Sequence, residues 1–121
     1  MGNGSVENQS TPVQVVGLER VIALDLDDHA CAALDGGALA CWGDGNFQPI
    51  EKIAVNALTP VMVAGVIGVV DVAVGFWYTC VLTEAQEIYC WGANGKYQLG
   101  LGDPPEWVDT PTRVDWRAAL P

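Results

Sequence analysis

The chain has 121 residues, of which half are apolar and 17% are charged, so it suits one folded domain and differs from a disordered tail. Five Lys and Arg residues stand against fifteen Asp and Glu residues, which gives a net charge of −10. This balance argues against a nucleic-acid partner and against an anionic membrane surface, because phosphate binding needs a basic footprint. The acidity favours solubility, and attraction to a basic partner is the alternative.

The first residues indicate no compartment. Residues 1–7 lack both the basic start and the apolar core of a signal peptide. A Gly-x-Gly triplet at residues 2–4 precedes Thr11-Pro12 in the same way that residues 100–102 precede Thr110-Pro111. We therefore expect residues 1–10 to be the tail of a preceding unit.

Strand patterns dominate the chain, and we find no convincing helical periodicity. Partly alternating, β-branched segments predict strands at residues 13–15, 61–63 and 69–74. The apolar run at residues 61–70 is too short to cross a bilayer of roughly 30 Å, so it is better explained by two buried strands separated by glycines. Residues 51–58 form either one helical turn or an irregular loop.

A first segment with two cysteines predicts a β-hairpin. Residues 35–37 (Asp-Gly-Gly) make a three-residue loop with Gly37 at the position that needs a left-handed backbone. This loop places Cys31 opposite Cys41, whereas a two-residue turn would place Cys31 opposite Trp42. The length of the loop therefore decides the pairing.

The same unit recurs 49 positions later, with Cys80 opposite Cys90 and a turn that lacks glycine at Ala85 and Gln86. We expect this second turn to be the more strained one. A fixed period near 50 indicates a supersecondary unit that has been copied along the chain. The predicted organisation is a preceding tail at residues 1–10, a degenerate repeat 1 at 11–58, repeat 2 at 59–109, and the start of a following repeat at 110–121.

Three chemical roles are open to the cysteines. Disulfides Cys31–Cys41 and Cys80–Cys90 suit the facing positions, because Cα separations across an antiparallel pair lie within disulfide range. Reduced, buried thiols are the alternative. A zinc or redox role is disfavoured, since the spacing matches neither a zinc knuckle nor a Cys-x-x-Cys motif. Oxidation requires a secretory route for the parent protein.

Two segments at equivalent places in the repeats are the candidate partner-binding residues: Asp27, Asp28 and His29 in the first, and Phe76, Trp77 and Tyr78 in the second. The acidic segment has too few oxygen ligands for calcium, and the chain has a single histidine, so solvated loop charge is the simpler interpretation. Three adjacent aromatic side chains cannot all enter a core from an extended segment, although one or two can. Exposed Trp and Tyr are typical of interfaces. We predict no catalytic residue, no metal ligand and no cofactor.

The order of these motifs resembles the regulator of chromosome condensation (RCC1) repeat. The matching pieces lie at residues 59–65, 69–75, 80–82, 89–94 and 98–102. The resemblance covers roughly residues 2–114 and implies a β-propeller of about seven four-stranded blades, with about one repeat per blade. The cysteine-bearing form is similar to repeats of bacterial extracytoplasmic proteins.

Repeat 1 departs from that pattern in two ways. Leu26 stands where repeat 2 has Gly75, and residues 44–49 lack the Gln-Leu-Gly-x-Gly tail. Repeat 2 departs once, because Tyr78 replaces the histidine that His29 retains. The loop geometry of the first repeat is therefore not fixed by the resemblance.

These observations predict an all-β chain of two four-stranded propeller blades with partial flanking blades. We expect a non-catalytic protein-binding or structural module, belonging to a longer array of a bacterial, secreted parent protein. The alternative is a regulator of a partner enzyme, either a guanine-nucleotide exchange factor or an inhibitor, although no candidate for the exchange insertion is present. Two blades cannot close a ring, so we also expect self-association through open blade edges, or instability.

Overall fold

The computed structural model describes residues 1–43, 57–101 and 106–115. Its strands are β1 (Val21–Leu26), β2 (His29–Leu34), β3 (Leu39–Gly43), β4 (Ala57–Met62), β5 (Val69–Gly75), β6 (Tyr78–Thr83), β7 (Ile88–Ala93) and β8 (Trp107–Arg113). They form two antiparallel sheets, with the orders β1-β2-β3-β4 and β5-β6-β7-β8. The all-β prediction is confirmed, and none of the described residues belongs to a helix that could span a membrane.

The first hairpin has the register that its loop length predicts. Residues 35–37 join β2 to β3, and the Leu34 N–H donates to the Ala38 carbonyl at 2.9 Å. Cys31 therefore faces Cys41, and the two residues are joined by a disulfide. The loop is a three-residue connection, which sets the pairing of the whole hairpin.

The second hairpin repeats this geometry without glycine. Residues 84–86 form its loop, and Cys80 faces Cys90 in a disulfide. Gln86 occupies the place of Gly37 and has a φ of 63°. A side chain at positive φ costs about 1–2 kcal/mol because its Cβ approaches the following carbonyl. Gln86 therefore supplies the strain that the sequence predicts for this turn.

The boundaries of the sheets do not coincide with the boundaries of the sequence repeats. β4 and β8, which contain the Thr-Pro pairs that open the repeats, close the sheets of the preceding hairpins. The strand predicted at residues 13–15 is wrong, since these residues form no strand. Next to them, the Val16 N–H donates to the Gly2 carbonyl at 2.9 Å without forming a strand. The turn or loop predicted at residues 51–58 and the tail at 44–49 lie largely outside the described residues, and residues 57–58 begin β4.

Each sheet has two faces, defined here by alternate residues. The front face of the first sheet carries Cys31, Ala33, Leu39 and Cys41, and the back face of the second carries Val72, Val81 and Trp91. These two faces meet and form the core. The back face of the first sheet carries Trp42, and residues near the start of the chain cover its indole. A Cβ on Gly2 would lie 2.8 Å from the indole Nε1 and 2.8 Å from Val15 Cγ1.

The outer edge of each sheet carries a proline. Pro60 lies within β4 and Pro111 within β8, and the pairing of both strands with their neighbours has an irregular register. Proline has no N–H to donate to a further strand, so it reduces edge-to-edge pairing. The edges formed by β4 and β8 are therefore poorly suited to pairing with a further strand at these two positions.

The first hairpin turn also fixes the second sheet. The Gly37 carbonyl accepts the Val69 N–H at 3.0 Å, at the start of β5. A Cβ on Gly37 would lie 2.7 Å from both Cα and N of Gly68. Gly37 therefore serves two purposes, because it permits a positive φ of 93° and lets two backbones touch.

We expect Gly37→Ala to destabilise the protein more than Gly36→Ala. Both positions have positive φ, but nothing lies within 4 Å of a Cβ on Gly36. The control should cost about 1–2 kcal/mol for the backbone alone, and Gly37→Ala should cost about 1–3 kcal/mol more through the clash with Gly68. Urea unfolding followed by tryptophan fluorescence measures the difference, and equal losses would contradict the close-contact role.

We expect Gln86→Gly to stabilise the protein by about 0.5–1 kcal/mol, because glycine relieves the strain of positive φ. Ala85→Gly is the matched control in the same loop. Ala85 has no positive φ, so its replacement should only add freedom to the unfolded chain and lower stability. Thermal unfolding at fixed redox conditions distinguishes the two, and a loss of stability in Gln86→Gly would show that this turn is not strained.

Candidate functional site

The two candidate segments lie side by side at one end of the stacked sheets. Asp27 and Asp28 connect β1 to β2, and Phe76 and Trp77 connect β5 to β6. The Trp77 N–H donates to Asp28 Oδ2 at 3.2 Å, so the two loops are in direct contact. The structure thus brings together two segments that are 49 positions apart in the sequence.

The two loops differ in length by one residue. In the first sheet Leu26 pairs with Ala30, whereas in the second Gly75 pairs with Tyr78, which leaves only Phe76 and Trp77 between the paired residues. A one-residue shift of register reverses the faces on which equivalent side chains lie. Equivalent residues of β1 and β5 therefore point to opposite faces of their sheets.

The ring of Tyr78 lies against Gly75, the residue opposite it in the sheet. A Cβ on Gly75 would lie 2.1 Å from Cζ of Tyr78, so the ring lies directly over the glycine. The first loop has Leu26 at this place and has no ring across from it, since His29 extends between the sheets instead. The two departures from the pattern, Leu26 in the first repeat and Tyr78 in the second, therefore lie at the same loop of the repeat.

His29 and Asp28 connect the sheets. His29 is buried, its Nδ1 lies 2.8 Å from Asp28 Oδ1, and its Nε2 lies 2.7 Å from Thr79 Oγ1 in the second sheet. Both ring nitrogens of His29 therefore have a polar partner, one in the same loop and one in the neighbouring sheet. Asp25 adds a further connection, because its Oδ2 accepts the Val74 N–H at 2.7 Å.

Asp28, His29 and Thr79 follow one another as the acid, the base and the hydroxyl nucleophile do in a catalytic triad. Thr79 is only 1% exposed, so a substrate cannot reach its hydroxyl. These three residues therefore hold the sheets together. Within residues 1–43, 57–101 and 106–115, no three His, Cys, Asp or Glu side chains are placed to hold a metal.

The accessible part of the cluster is aromatic and acidic. Phe76 and Trp77 are 60% and 43% exposed, and their rings stack with centroids 4.6 Å apart. Trp77 has a φ of 67°, and its carbonyl accepts the Ala93 N–H at 2.7 Å. Asp27, which precedes Asp28 in the adjoining loop, is also exposed. Asp28 and Ala93 thus hold Trp77 from both sides in a conformation that is unfavourable for a bulky residue.

The six candidate residues divide by position. Asp27, Phe76 and Trp77 are exposed, Asp28 and Tyr78 are half-buried, and His29 is buried. The sequence pattern does not reveal Asp25 and Thr79, which join the sheets. The 49-residue period is the one feature of the sequence that could have indicated Asp25 and Thr79. It predicts that equivalent loops of stacked sheets lie next to each other.

We expect Asp28→Ala to lower stability by about 1–3 kcal/mol, because it removes the carboxylate that contacts His29 Nδ1 and accepts the Trp77 N–H. Asp27→Ala is the control, since the side chain of Asp27 is exposed. Its effect should stay within about 0.5 kcal/mol. Denaturant unfolding compares the two, and equal effects would mean that the carboxylate of Asp28 does not connect the sheets.

Two overlapping segments of the chain match the Regulator of chromosome condensation (RCC1) repeat, at residues 69–98 and 87–118. The human E3 ubiquitin-protein ligase HERC2 is 27% identical over 110 residues, which covers 84% of this chain and 2% of that protein. Protein pim1 of Schizosaccharomyces pombe is 28% identical over 108 residues, with 76% and 20% covered. The chain therefore spans a small part of the length of these relatives.

Solved structures share the fold. Yeast RCC1 (Prp20), in a structure with Kap60, gives a TM-score of 0.62 at 25% identity and covers 78% of this chain and 21% of that chain. Human WBSCR16 gives 0.67 at 16% identity, with 93% and 32% covered. The two sheets are two four-stranded blades of a β-propeller, and such repeats are characteristic of protein-binding or regulatory modules. The bacterial origin stays a prediction.

Proposed function

Because this chain carries RCC1-type repeats, we propose that it is a non-catalytic protein-binding module whose partner contacts the exposed cluster of Asp27, Phe76 and Trp77. The observation that carries this proposal is the contact between Asp28 and Trp77, which fixes two stacked aromatic rings in an exposed position. Rigid, exposed aromatic residues bind with little loss of conformational freedom. The residues that differ between the repeats thus meet at one surface.

The chemistry of the cluster favours a basic partner segment. The whole chain has a net charge of −10, which attracts cationic proteins at long range. A Lys or Arg side chain can stack on the Trp77 ring while its charge lies near Asp27. Prp20p from Saccharomyces cerevisiae, a solved structure with a similar fold, is described with its binding to Gsp1p and histones. Histones are basic proteins.

Binding to core histones provides the first test, measured by biolayer interferometry at two salt concentrations. We expect wild-type protein to bind, and Phe76→Ser to bind at least about tenfold more weakly, as for a central interface residue. Ile67→Ser is the matched control, because Ile67 is 87% exposed and lies outside the cluster. Near-ultraviolet circular dichroism verifies that both variants remain folded.

Two results would overturn this assignment. One is histone binding that Phe76→Ser and Ile67→Ser reduce equally, because the cluster would then have no special role. The other concerns proteins captured from a cell extract. The assignment fails if the wild type captures no protein that Ile67→Ser also captures and Phe76→Ser does not. The extract arm is needed because the partner of this chain can be a basic protein other than a histone.

A second candidate function is regulation of a partner enzyme. Prp20p has been studied for binding to Gsp1p, which supports a test of nucleotide exchange. Addition of this chain to Gsp1p loaded with fluorescent GDP should accelerate release if exchange is its function. An unchanged release rate at saturating protein excludes exchange on that GTPase, and a parallel β-lactamase assay tests the inhibitor alternative.

The disulfides support a proposal about compartment. Cys31–Cys41 and Cys80–Cys90 are each formed across a β-hairpin, and such bonds persist in oxidising compartments. We propose that the protein acts on a secretory route. Maleimide trapping in the source cells should leave all four cysteines unlabelled unless the protein is first reduced, whereas direct labelling would exclude this location.

A further inference from the structure

Residues with unfavourable backbone angles lie at both ends of the sheets, and only one end combines them with aromatic side chains. Among the described residues, four other than glycine have positive φ. Arg20 (58°) and Gln86 (63°) lie at the end that carries the hairpin turns. Trp77 (67°) and Tyr97 (59°) lie at the opposite end, which carries the loops at residues 27–28 and 76–77 and is called the loop end here. Bulky residues at positive φ persist where the surrounding structure holds them, often at functional sites.

The segment that follows β7 holds Tyr97 in its conformation. The carbonyl of the buried Asn94 accepts the Tyr97 N–H at 2.9 Å, and its Oδ1 accepts the N–H of the buried Leu99 at 3.1 Å. The Tyr97 carbonyl in turn accepts the Gly100 N–H at 3.2 Å. The side chain of Tyr97 itself is 66% exposed. Hydrogen bonds to buried residues therefore fix the backbone of Tyr97, and its ring is left free for contact with another molecule.

The segment that carries Tyr97 begins next to Trp77. The Trp77 carbonyl accepts the Ala93 N–H at 2.7 Å, and the next residue, Asn94, donates its N–H to the Glu106 carbonyl at 2.7 Å. Because β6, β7 and β8 are neighbours in the sheet, Trp77 and Glu106 lie on the two sides of this segment, about 10 Å apart at the usual strand spacing. An extended peptide covers that distance in about three residues.

Stacking of the sheets leaves the loop end accessible. The first sheet is packed against the second, and yet Asp27 in its end loop is exposed. Phe76 and Trp77, in the equivalent loop of the second sheet, are exposed although the first sheet lies beside them. The sheets stack through their faces, whereas these residues lie in loops beyond the ends of the strands. Their exposure is therefore compatible with the stacking of repeats.

We propose that Tyr97 belongs to the same binding surface as Trp77, and that an extended basic segment of the partner lies across both rings. This inference rests on the proposed function, to which it adds a second aromatic position and the form of the ligand. The charges at the loop end support it, because the exposed Asp27 and Glu106 lie on the two sides of the aromatic pair. Cationic side chains can stack on the rings while their charges are attracted by these carboxylates. Lys96, which is exposed next to Tyr97, opposes this attraction.

Biolayer interferometry of the oxidised chain with an unstructured peptide of alternating Arg and Ala residues tests the proposal. We expect wild-type protein to bind the peptide and Tyr97→Gly to bind it at least about fivefold more weakly, since the ring is lost. Tyr97→Phe keeps the ring and should bind within about twofold of the wild type. Tyr97→Gly should also raise the urea midpoint of unfolding, because glycine adopts positive φ without strain. A residue with a purely structural role would not combine weaker binding with higher stability.

Gln86→Gly is the matched control, because it removes a residue from positive φ at the opposite end of the sheets. It should raise the urea midpoint and leave peptide binding unchanged. Lys96→Ala tests the sign of the charge on the ligand. Removal of this cation should strengthen binding of the Arg peptide, whereas it would weaken binding of an acidic ligand.

The failure of this inference can be distinguished from the failure of the proposed function. If Phe76→Ser loses the peptide and Tyr97→Gly binds it as the wild type does, the cluster is retained and the role of Tyr97 is overturned. If Phe76→Ser binds the peptide as the wild type does, the proposed cluster itself is overturned. A wild type that does not bind the Arg peptide overturns the basic segment as ligand. The same holds if a neutral polysaccharide such as dextran binds instead and loses binding in Tyr97→Gly.

Discussion

The first sheet depends on the second for the burial of its front face. Cys31, Ala33, Leu39 and Cys41 form a surface of small and medium apolar side chains, and Trp91 and Val81 cover it. A single four-stranded sheet with this face open would lack the buried area that offsets the loss of chain entropy. The stability of the first sheet and the positions of the loops between its strands therefore depend on the contact between the two sheets.

Polar contacts at both ends of this interface fix its geometry. At one end the Asp25 and Asp28 carboxylates accept backbone N–H groups of the second sheet, and at the other the Gly37 carbonyl accepts the N–H of Val69. Apolar packing alone allows sheets to slide, whereas these hydrogen bonds join specific residues. The interface therefore holds the Trp77 loop in one position relative to the first sheet.

The sequence was sufficient for features with short-range causes. The three-residue loop at 35–37 determines the hairpin register, and with it the facing of Cys31 and Cys41. Features that depend on neighbouring strands could not be predicted in this way. The Thr-Pro segments at residues 59–60 and 110–111 look like the beginnings of repeats, but they become closing strands because β3 and β7 offer them partners. The one-residue difference between the loops depends on strand pairing, which places Leu26 opposite Ala30 but Gly75 opposite Tyr78.

The same reasoning explains why the candidate site divides as it does. Equivalent loops of stacked sheets must lie next to each other, so residues that differ between repeats are brought into contact even when they are distant in sequence. Asp28 and His29 use this proximity to bind the neighbouring sheet, and their polar groups are thereby occupied by the protein itself. What the contact leaves exposed is the stacked pair of Phe76 and Trp77. An interaction surface on such a fold is therefore built by the connection between two sheets, and a single repeat alone could not hold it in place.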